Sequence, residues 1–599
     1  MILQGIDWAF IIAFFVISLT IGLAVAKRAG QSSSEFFLSG RNMPWWLLGV
    51  SMVATTFSTD TPNLVTDIVR QNGVVGNWVW WAFLLTGMLT VFIYAKLWRR
   101  SKVLTDIEFY ELRYSGKTAA FLRGFRAIYL GVFFNIIIMA TVSLAIIKIG
   151  GVMLKLTKLE SLLIASLITV IYSALGGLRG VLITDFFQFG VAMIGSIGAA
   201  IVALRLPQVG GLSNLLSHDA VAGKLRLLPD FSDPQSYIPL FLLPLAVQWW
   251  SVWYPGAEPG GGGYIAQRML SAKSEKHAIG ATFFFNAAHY ALRPWPWIIV
   301  ALCSLLVFPD LESLRSAFPH VDPGVLRHDL AYPAMLTFLP RGLLGIVVAS
   351  LIAAFMSTIS THLNWGSSYV VNDFYKRFIN PKADEKRMVR IGRISTVVLM
   401  ICASILALLL SNALQAFEIL LQIGAGTGLL FILRWFWWRI NPISEITAML
   451  VSFCVALYFQ FIHPHTGLPD LTAYLRLLIG VGITSVCWIG ITFLTKPSDK
   501  KTLRSFYRLV KPGGPGWKKV VEDARQDNES IEEPGRKWDV PTGIICMVLG
   551  CFSIYSALFA TGNWIYGKKL IAAVLTVIAA VSSIFLIKFW SRMRVEESK

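Results

Sequence analysis

The chain has 599 residues, of which 55% are apolar and 15% charged, with a formal net charge of +19 and a positive mean hydropathy. So little charge cannot cover a soluble protein of this length, and the recurring apolar runs of about 20 residues are each long enough to cross a ~30 Å hydrocarbon core. A soluble catalytic domain is excluded, and so is nucleic-acid binding, because no basic stripe interleaved with aromatics lies in a soluble segment; the surplus Lys and Arg suit loops beside an anionic leaflet.

In chain order the sequence predicts an all-α polytopic membrane protein with roughly fifteen spans, at roughly 7–26, 45–68, 77–98, 124–153, 160–176, 181–205, 236–255, 278–308, 341–372, 391–411, 413–434, 441–463, 473–495, 540–561 and 566–589. The first run, after MILQGIDW, has no basic region before it and no small-residue cleavage site after it, so it reads as a retained helix. With the N-terminus outside, the loops KRAGQSSSEFFLSGRN (27–42), KLWRRSK (96–102), KRFINPKADEKRMVRIGR (376–393) and the stretch 496–538 are cytoplasmic and hold most of the Lys and Arg. That order places the C-terminus in the cytoplasm of a cell-membrane protein. The outer loops 206–235 and 309–340 have room for short helices or lids. The segment 497–538 is polar and mixed in charge, and reads as a solvated, partly mobile cytoplasmic linker.

Three stretches depart from plain spanning helices. The second run carries Ala54, Thr55, Thr56, Phe57, Ser58, Thr59, Asp60, Thr61 and Pro62 near its middle. A proline removes a backbone donor, broken helices survive in a membrane only where protein or a watery cavity surrounds them, and an intramembrane acid marks a functional site by default. The competing reading is a packing kink with Asp60 bonded to a neighbour. The seventh run ends in WYPGAEPGGGGYIAQR (253–268), which two prolines and five glycines prevent from being a regular helix; it is either a loop at a helix end or an unwound segment lining a cavity. The ninth run packs Ser357, Thr358, Ser360 and Thr361 into five residues, three of them on one helical face. A hard cation such as sodium takes oxygen ligands. Hydroxyls and freed carbonyls supply them without burying a carboxylate, although membrane hydroxyls also bond back to their own helix.

At these stretches the chain resembles the sodium:solute symporter family, on PWWLLGVSMVATTFS (44–58), YSALGGLRGVLITDFFQFG (172–190), YIAQRMLSAKSEKH (264–277) and AAFMSTISTHLNWGSSYVVNDFY (353–375), over roughly residues 1–440. The resemblance implies a LeuT-like core of two inverted five-helix repeats, at about 45–205 and 236–434. An N-terminal helix and loop (1–44), the outer loop 206–235, accessory helices (435–496), the linker 497–538 and two C-terminal helices (539–599) would surround it. It also implies a sodium site made of Ala54, Phe57, Ala354, Ser357 and Thr358. A second sodium would use Asp185, Ser357, Ser360 and Thr361, with a helix N-cap after the GGLRG turn as the other reading of Asp185. Candidate substrate contacts are Ser58, Asp60, Thr61, Gln248 and Glu258. Where sugar-transporting members place a Glu, this chain has Trp80, a departure from the sugar pattern. The expected function is sodium-coupled import of a small polar organic solute by alternating access. Its partners would be the solute, sodium and the lipid bilayer.

Rival readings are a sodium-independent uniporter or channel of the same fold, or a transporter-derived sensor, for which 497–538 is too short to hold a signalling domain. An enzyme would need clustered acids or histidines, yet the eight histidines are scattered and only His463 and His465 are close. The six cysteines (Cys303, Cys402, Cys454, Cys487, Cys546, Cys551) fall in apolar runs without a C-x-x-C pair and read as small core residues.

Overall fold

The computed structural model describes residues 3–252, 258–410, 424, 426–533 and 538–593. Among these the regular structure is helical, with no strand. We label the elements α1 (Gly5–Ala29), α2 (Trp45–Thr56), α3 (Asp60–Asn72), α4 (Val74–Ser101), α5 (Gly116–Leu154), α6 (Lys158–Arg205), α7 (Gly263–Ser271), α8 (Glu275–Val307), α9 (Leu343–Ile379), α10 (Glu385–Leu409), α11 (Pro442–His465), α12 (Ala473–Leu494), α13 (Lys500–Val510), α14 (Lys518–Gln526), α15 (Val540–Ile565) and α16 (Lys569–Trp590).

Eleven helices among the described residues are long and apolar enough to cross a membrane. Five of the expected runs are arranged differently or leave the described residues. Run 45–68 is divided between α2 and α3. Runs 160–176 and 181–205 form one 48-residue helix, α6, in which Gly177 adopts φ 52°; only glycine takes that left-handed turn without strain, so the axis changes direction there. Run 236–255 consists of short turns as far as Trp250 and then leaves the described residues. Most of run 413–434 also lies outside them.

The middle of the molecule is the packing of α6 along α9, with α1 laid against both and α2 wedged between α6 and α8. Helix α1 is fastened by Asp7, whose Oδ1 accepts from Gly342 N at 2.8 Å and Gly345 N at 2.9 Å. These are N–H groups at the start of α9 with no helical acceptor, and the carboxylate also suits that end of the dipole. The approach is close enough that a Cβ on Gly345 would stand 2.4 Å from Asp7 Cα. The loops 206–235 and 309–340 carry short helices at Leu212–Ser217, Asp219–Ala222 and Leu311–Ala317.

The segment 497–538 is not a solvated loop over its described part. Leu503, Phe506, Tyr507 and Val510 recur at i, i+3, i+4 and i+7 on α13 and are buried. Phe506 stacks on Trp517 at 5.6 Å, and Trp517 Nε1 donates to Trp435 O at 2.9 Å. The Arg113 guanidinium lies 4.8 Å over the Trp517 ring. The polar average composition of the segment conceals this one apolar face.

Replacing Trp517 with Ala should therefore cost about 3–5 kcal/mol of docking. Limited trypsin digestion would show it as much faster cleavage between residues 500 and 533; wild-type cleavage rates in the variant would contradict the buried seat of Trp517.

Candidate functional site

The site begins at the interruption between α2 and α3. Helix α2 ends at Thr56, Phe57 leaves helical geometry at φ −87°, ψ 69°, and α3 starts at Asp60. Pro62 does not cause the break by clashing inside a helix. It occupies the first turn of α3, where an N–H has no helical acceptor anyway. The last carbonyls of α2 are thereby free to take other donors. Thr358 Oγ1 on α9 donates to Thr55 O at 2.8 Å, and Arg293 Nη1 on α8 donates to Val53 O at 3.1 Å. Thr59 Oγ1 donates to Leu351 O at 3.0 Å, tying the break to α9 a second time.

The four hydroxyls of α9 have distinct partners. Thr358 crosses to α2 as above. Thr361 Oγ1 lies 3.1 Å from Thr55 Oγ1 and accepts from Arg268 Nη2 at 2.7 Å. Ser360 bonds back to Ser357 O at 3.1 Å. Ser357 Oγ is fully buried, makes no hydrogen bond of normal geometry and faces the Asp185 carboxylate. Ala54, Phe57 and Ala354 are buried on the same two segments. Thr358 and Thr361 thus bring the hydroxyl row of α9 against the C-terminal end of α2.

Asp185 lies within α6, two turns past Gly177, and so is not the N-cap of a helix. It is fully buried. Its Oδ2 accepts from Ser51 Oγ at 2.5 Å and stands 3.9 Å from Arg268 Nη2, while Oδ1 makes no hydrogen bond of normal geometry. Arg268 also donates to Ser51 Oγ at 3.3 and 3.2 Å. The guanidinium therefore already touches the Thr361 and Asp185 members of the second oxygen set.

Beside the break lies a cavity of about 240 Å³. Ser58, Asp60, Thr61 and Glu258 line it, as do Thr55 and Thr358, so the α2–α9 contact forms part of its wall. Gln248 does not line it: its amide donates to Val79 O at 2.8 Å. Segment 258–262 is unwound along the cavity, with Gly260 and Gly261 both at φ 88°; a Cβ on Gly261 would meet Met269 at 2.5 Å. The residues 253–257 of that motif lie outside the described residues. Trp80 lines the cavity too, stacked on Tyr290.

Two features of the cavity were not anticipated. Glu258 is ion-paired with Arg126, both being buried, and the Arg126 guanidinium lies 5.3 Å over Tyr110. The other is the row Asn286, His289, Tyr290 and Arg293 on α8. The signal for it was present in NAAHYALRP (286–294), where a histidine and an arginine stand four apart in an apolar run.

The sodium:solute symporter family profile matches residues 36–452. The chain is 27% identical over 506 residues to the sodium/glucose cotransporter of Vibrio parahaemolyticus, spanning 81% of this chain and 91% of that one. It is 26% identical over 505 residues to a sodium/mannose cotransporter of Bos taurus, spanning 78% and 82%. The solved substrate-bound, outward-open state of a Na+-coupled sialic acid symporter aligns with TM-score 0.64 at 20% identity, covering 83% of this chain and 99% of that chain. That likeness shows a shared fold.

Removing one member of a buried pair strands the other charge, at about 3–5 kcal/mol. Arg126→Met is accordingly expected to lower the melting temperature in detergent sharply, and Arg126→Met with Glu258→Met much less. A double variant as unstable as the single one would show that the pair is not the reason.

Proposed function

Because the chain belongs to the sodium:solute symporter family, we propose that it imports a small polar organic solute with sodium by alternating access, as a multi-pass membrane protein of some fifteen crossings. Membership makes it a transporter and not an enzyme. In this reading the first inverted repeat spans 45–205 and the second 236–434, with the N-terminus outside and the C-terminus in the cytoplasm.

The observation that carries the reading is the α2–α9 contact at the cavity wall. Sodium would be held there by carbonyls of Ala54, Phe57 and Ala354 and the hydroxyls of Ser357 and Thr358. The buried Ser357 Oγ supports this, since it makes no hydrogen bond of normal geometry and has only the Asp185 carboxylate facing it, so an oxygen lone pair is left for a cation. Thr358 belongs to both the ion set and the cavity lining, so an ion drawn to the α2–α9 contact would shape the place where the solute binds. Coupling then requires only that sodium bind one state more tightly than the other, because equal affinity shifts nothing. Inward movement of each sodium gains about 2.3 kcal/mol per 100 mV of membrane potential.

A second sodium would use Asp185, Ser357, Ser360 and Thr361. The Asp185 carboxylate and Ser357 Oγ face each other without a hydrogen bond of normal geometry, which favours it. Arg268 stands beside the same oxygens as a tethered cation, so binding there would require its fork to give up Thr361.

The solute contacts we propose are Ser58, Asp60, Thr61 and Glu258. Gln248 supports the wall from behind through Val79.

In proteoliposomes an inward sodium gradient should drive uptake, and sodium chloride should raise the melting temperature where choline chloride does not. A hydroxyl ligand to a charged group is worth about 1.5–3 kcal/mol, so Thr358→Ala should raise the sodium concentration for half-maximal stabilisation by roughly tenfold or more. Unchanged sodium dependence in Ser357→Ala with Thr358→Ala would exclude this placement of the ion.

A further inference from the structure

We propose that the solute is a small zwitterion, with a carboxylate received by Arg293 and a cationic group received by Asp60. The proposal rests on the symporter reading and concerns the same cavity.

The argument is a charge balance of the cavity wall. Glu258 is cancelled by Arg126. His289 receives the Arg293 fork on its Nδ1 and also faces Thr56 Oγ1 at 3.3 Å, so its ring acts as a neutral acceptor. Two charges remain. Arg293 is 1% exposed and meets no carboxylate among the described residues; its Nε has no partner. Asp60 makes no ion pair among the described residues, and its Oδ1 is shielded without a hydrogen bond. The two do not pair with each other.

The broken helix explains how both persist. Arg293 sits at the carbonyl end of α2, the negative end of its dipole, and Asp60 sits at the N-terminal end of α3, the positive end. Each charge is eased by a half-helix and still lacks a counter-ion. When the cavity closes around its cargo, water leaves and both charges lose hydration. A neutral sugar would leave both uncompensated. A simple anion would answer Arg293 and oppose Asp60, and a simple cation the reverse. A solute with one charge of each sign answers both. The volume, below the ~300–1,000 Å³ of drug-sized sites, suits a small molecule, and the Trp80 and Tyr290 faces favour a substituted ammonium beside them. A purely capping role for Asp60 and Arg293 would stabilise the helices without influencing which solute binds.

The test uses the full-length protein in detergent, with saturating sodium chloride. Glycine betaine and L-proline serve as zwitterions, butyrate as the anion, choline as the cation, and D-glucose and myo-inositol as neutral polyols. A zwitterion is expected to raise the melting temperature only with sodium present, and the others not. Asp60→Asn should move the preference toward butyrate, and Arg293→Gln toward choline, each weakening the zwitterion on the order of 100-fold. Should Arg293→Gln fail to fold, Arg293→Lys keeps the charge and loses the fork, and is expected to weaken only the carboxylate-bearing probes. The proposal is overturned if a neutral polyol stabilises the protein and Asp60→Asn leaves that effect intact, or if neither zwitterion acts while sodium alone still does. Loss of the sodium effect itself would instead strike the symporter reading.

Discussion

Three residues at membrane depth, Phe57, Ser58 and Thr59, interrupt a helix, and carbonyls left without helical donors in a low-dielectric medium must find others. Thr55 O is met by Thr358 on α9, while Val53 O keeps its helical donor Phe57 N at 2.9 Å and takes Arg293 on α8 as a further one. Thr56 O takes Thr61 Oγ1 from the next helix at 3.4 Å. One backbone defect therefore joins three elements at one point. Thr358 is shared between these contacts, the proposed sodium ligand set and the cavity wall, so a change in the spacing of α2 and α9 alters ion and solute sites together. Hydroxyls suit this position better than carboxylates, because they satisfy a carbonyl in one state and can turn an oxygen to a cation in another.

Much of this was legible in the sequence, because the break and the hydroxyl cluster are local features. Small polar residues, an acid and a proline stand within one apolar run, and the helix is interrupted there. The role of Pro62 was misjudged, since whether a proline interrupts a helix or opens one depends on where the helix begins, and boundaries are the weakest part of a pattern reading. Glu258 was visible as an acid, but its counter-charge Arg126 is 132 residues away. His289 and Arg293 were passed over because the histidines were weighed as metal ligands, not as polar groups placed where lipid should be. Segment 497–538 was averaged by composition, which hides an apolar stripe of four positions on α13.

The far end of the cavity wall is held differently. Arg126 and Glu258 pair beneath it, and nearby Arg434 lies 3.5 Å from Glu445, which also accepts from Tyr114 at 2.6 Å. Arg123 meets Asp373 at 2.7 Å. Buried pairs of this kind add little net stability, because desolvation offsets most of the attraction. What they supply is geometry, since each is strong only in one arrangement. Glu258 belongs to the unwound segment beside the cavity, so this end of the bundle and the solute wall form one polar unit.

That unit extends beyond the matched region. Arg113 Nε donates to Arg434 O at 3.1 Å, and its guanidinium stacks on Trp517 and Phe506 of the segment 497–538. Lys96 on α4 pairs with Asp539 at the start of α15. The chain after residue 452 is thus anchored to the end of the bundle that must rearrange if the cavity is to open there. Parting α4 and α5 from their partners at that end would expose Arg113, Arg126 and Lys96 to water, which pairs charges poorly but hydrates them well. Water entry would therefore accompany any opening at this end, because a buried pair dissociates at low cost only where solvent can hydrate both partners.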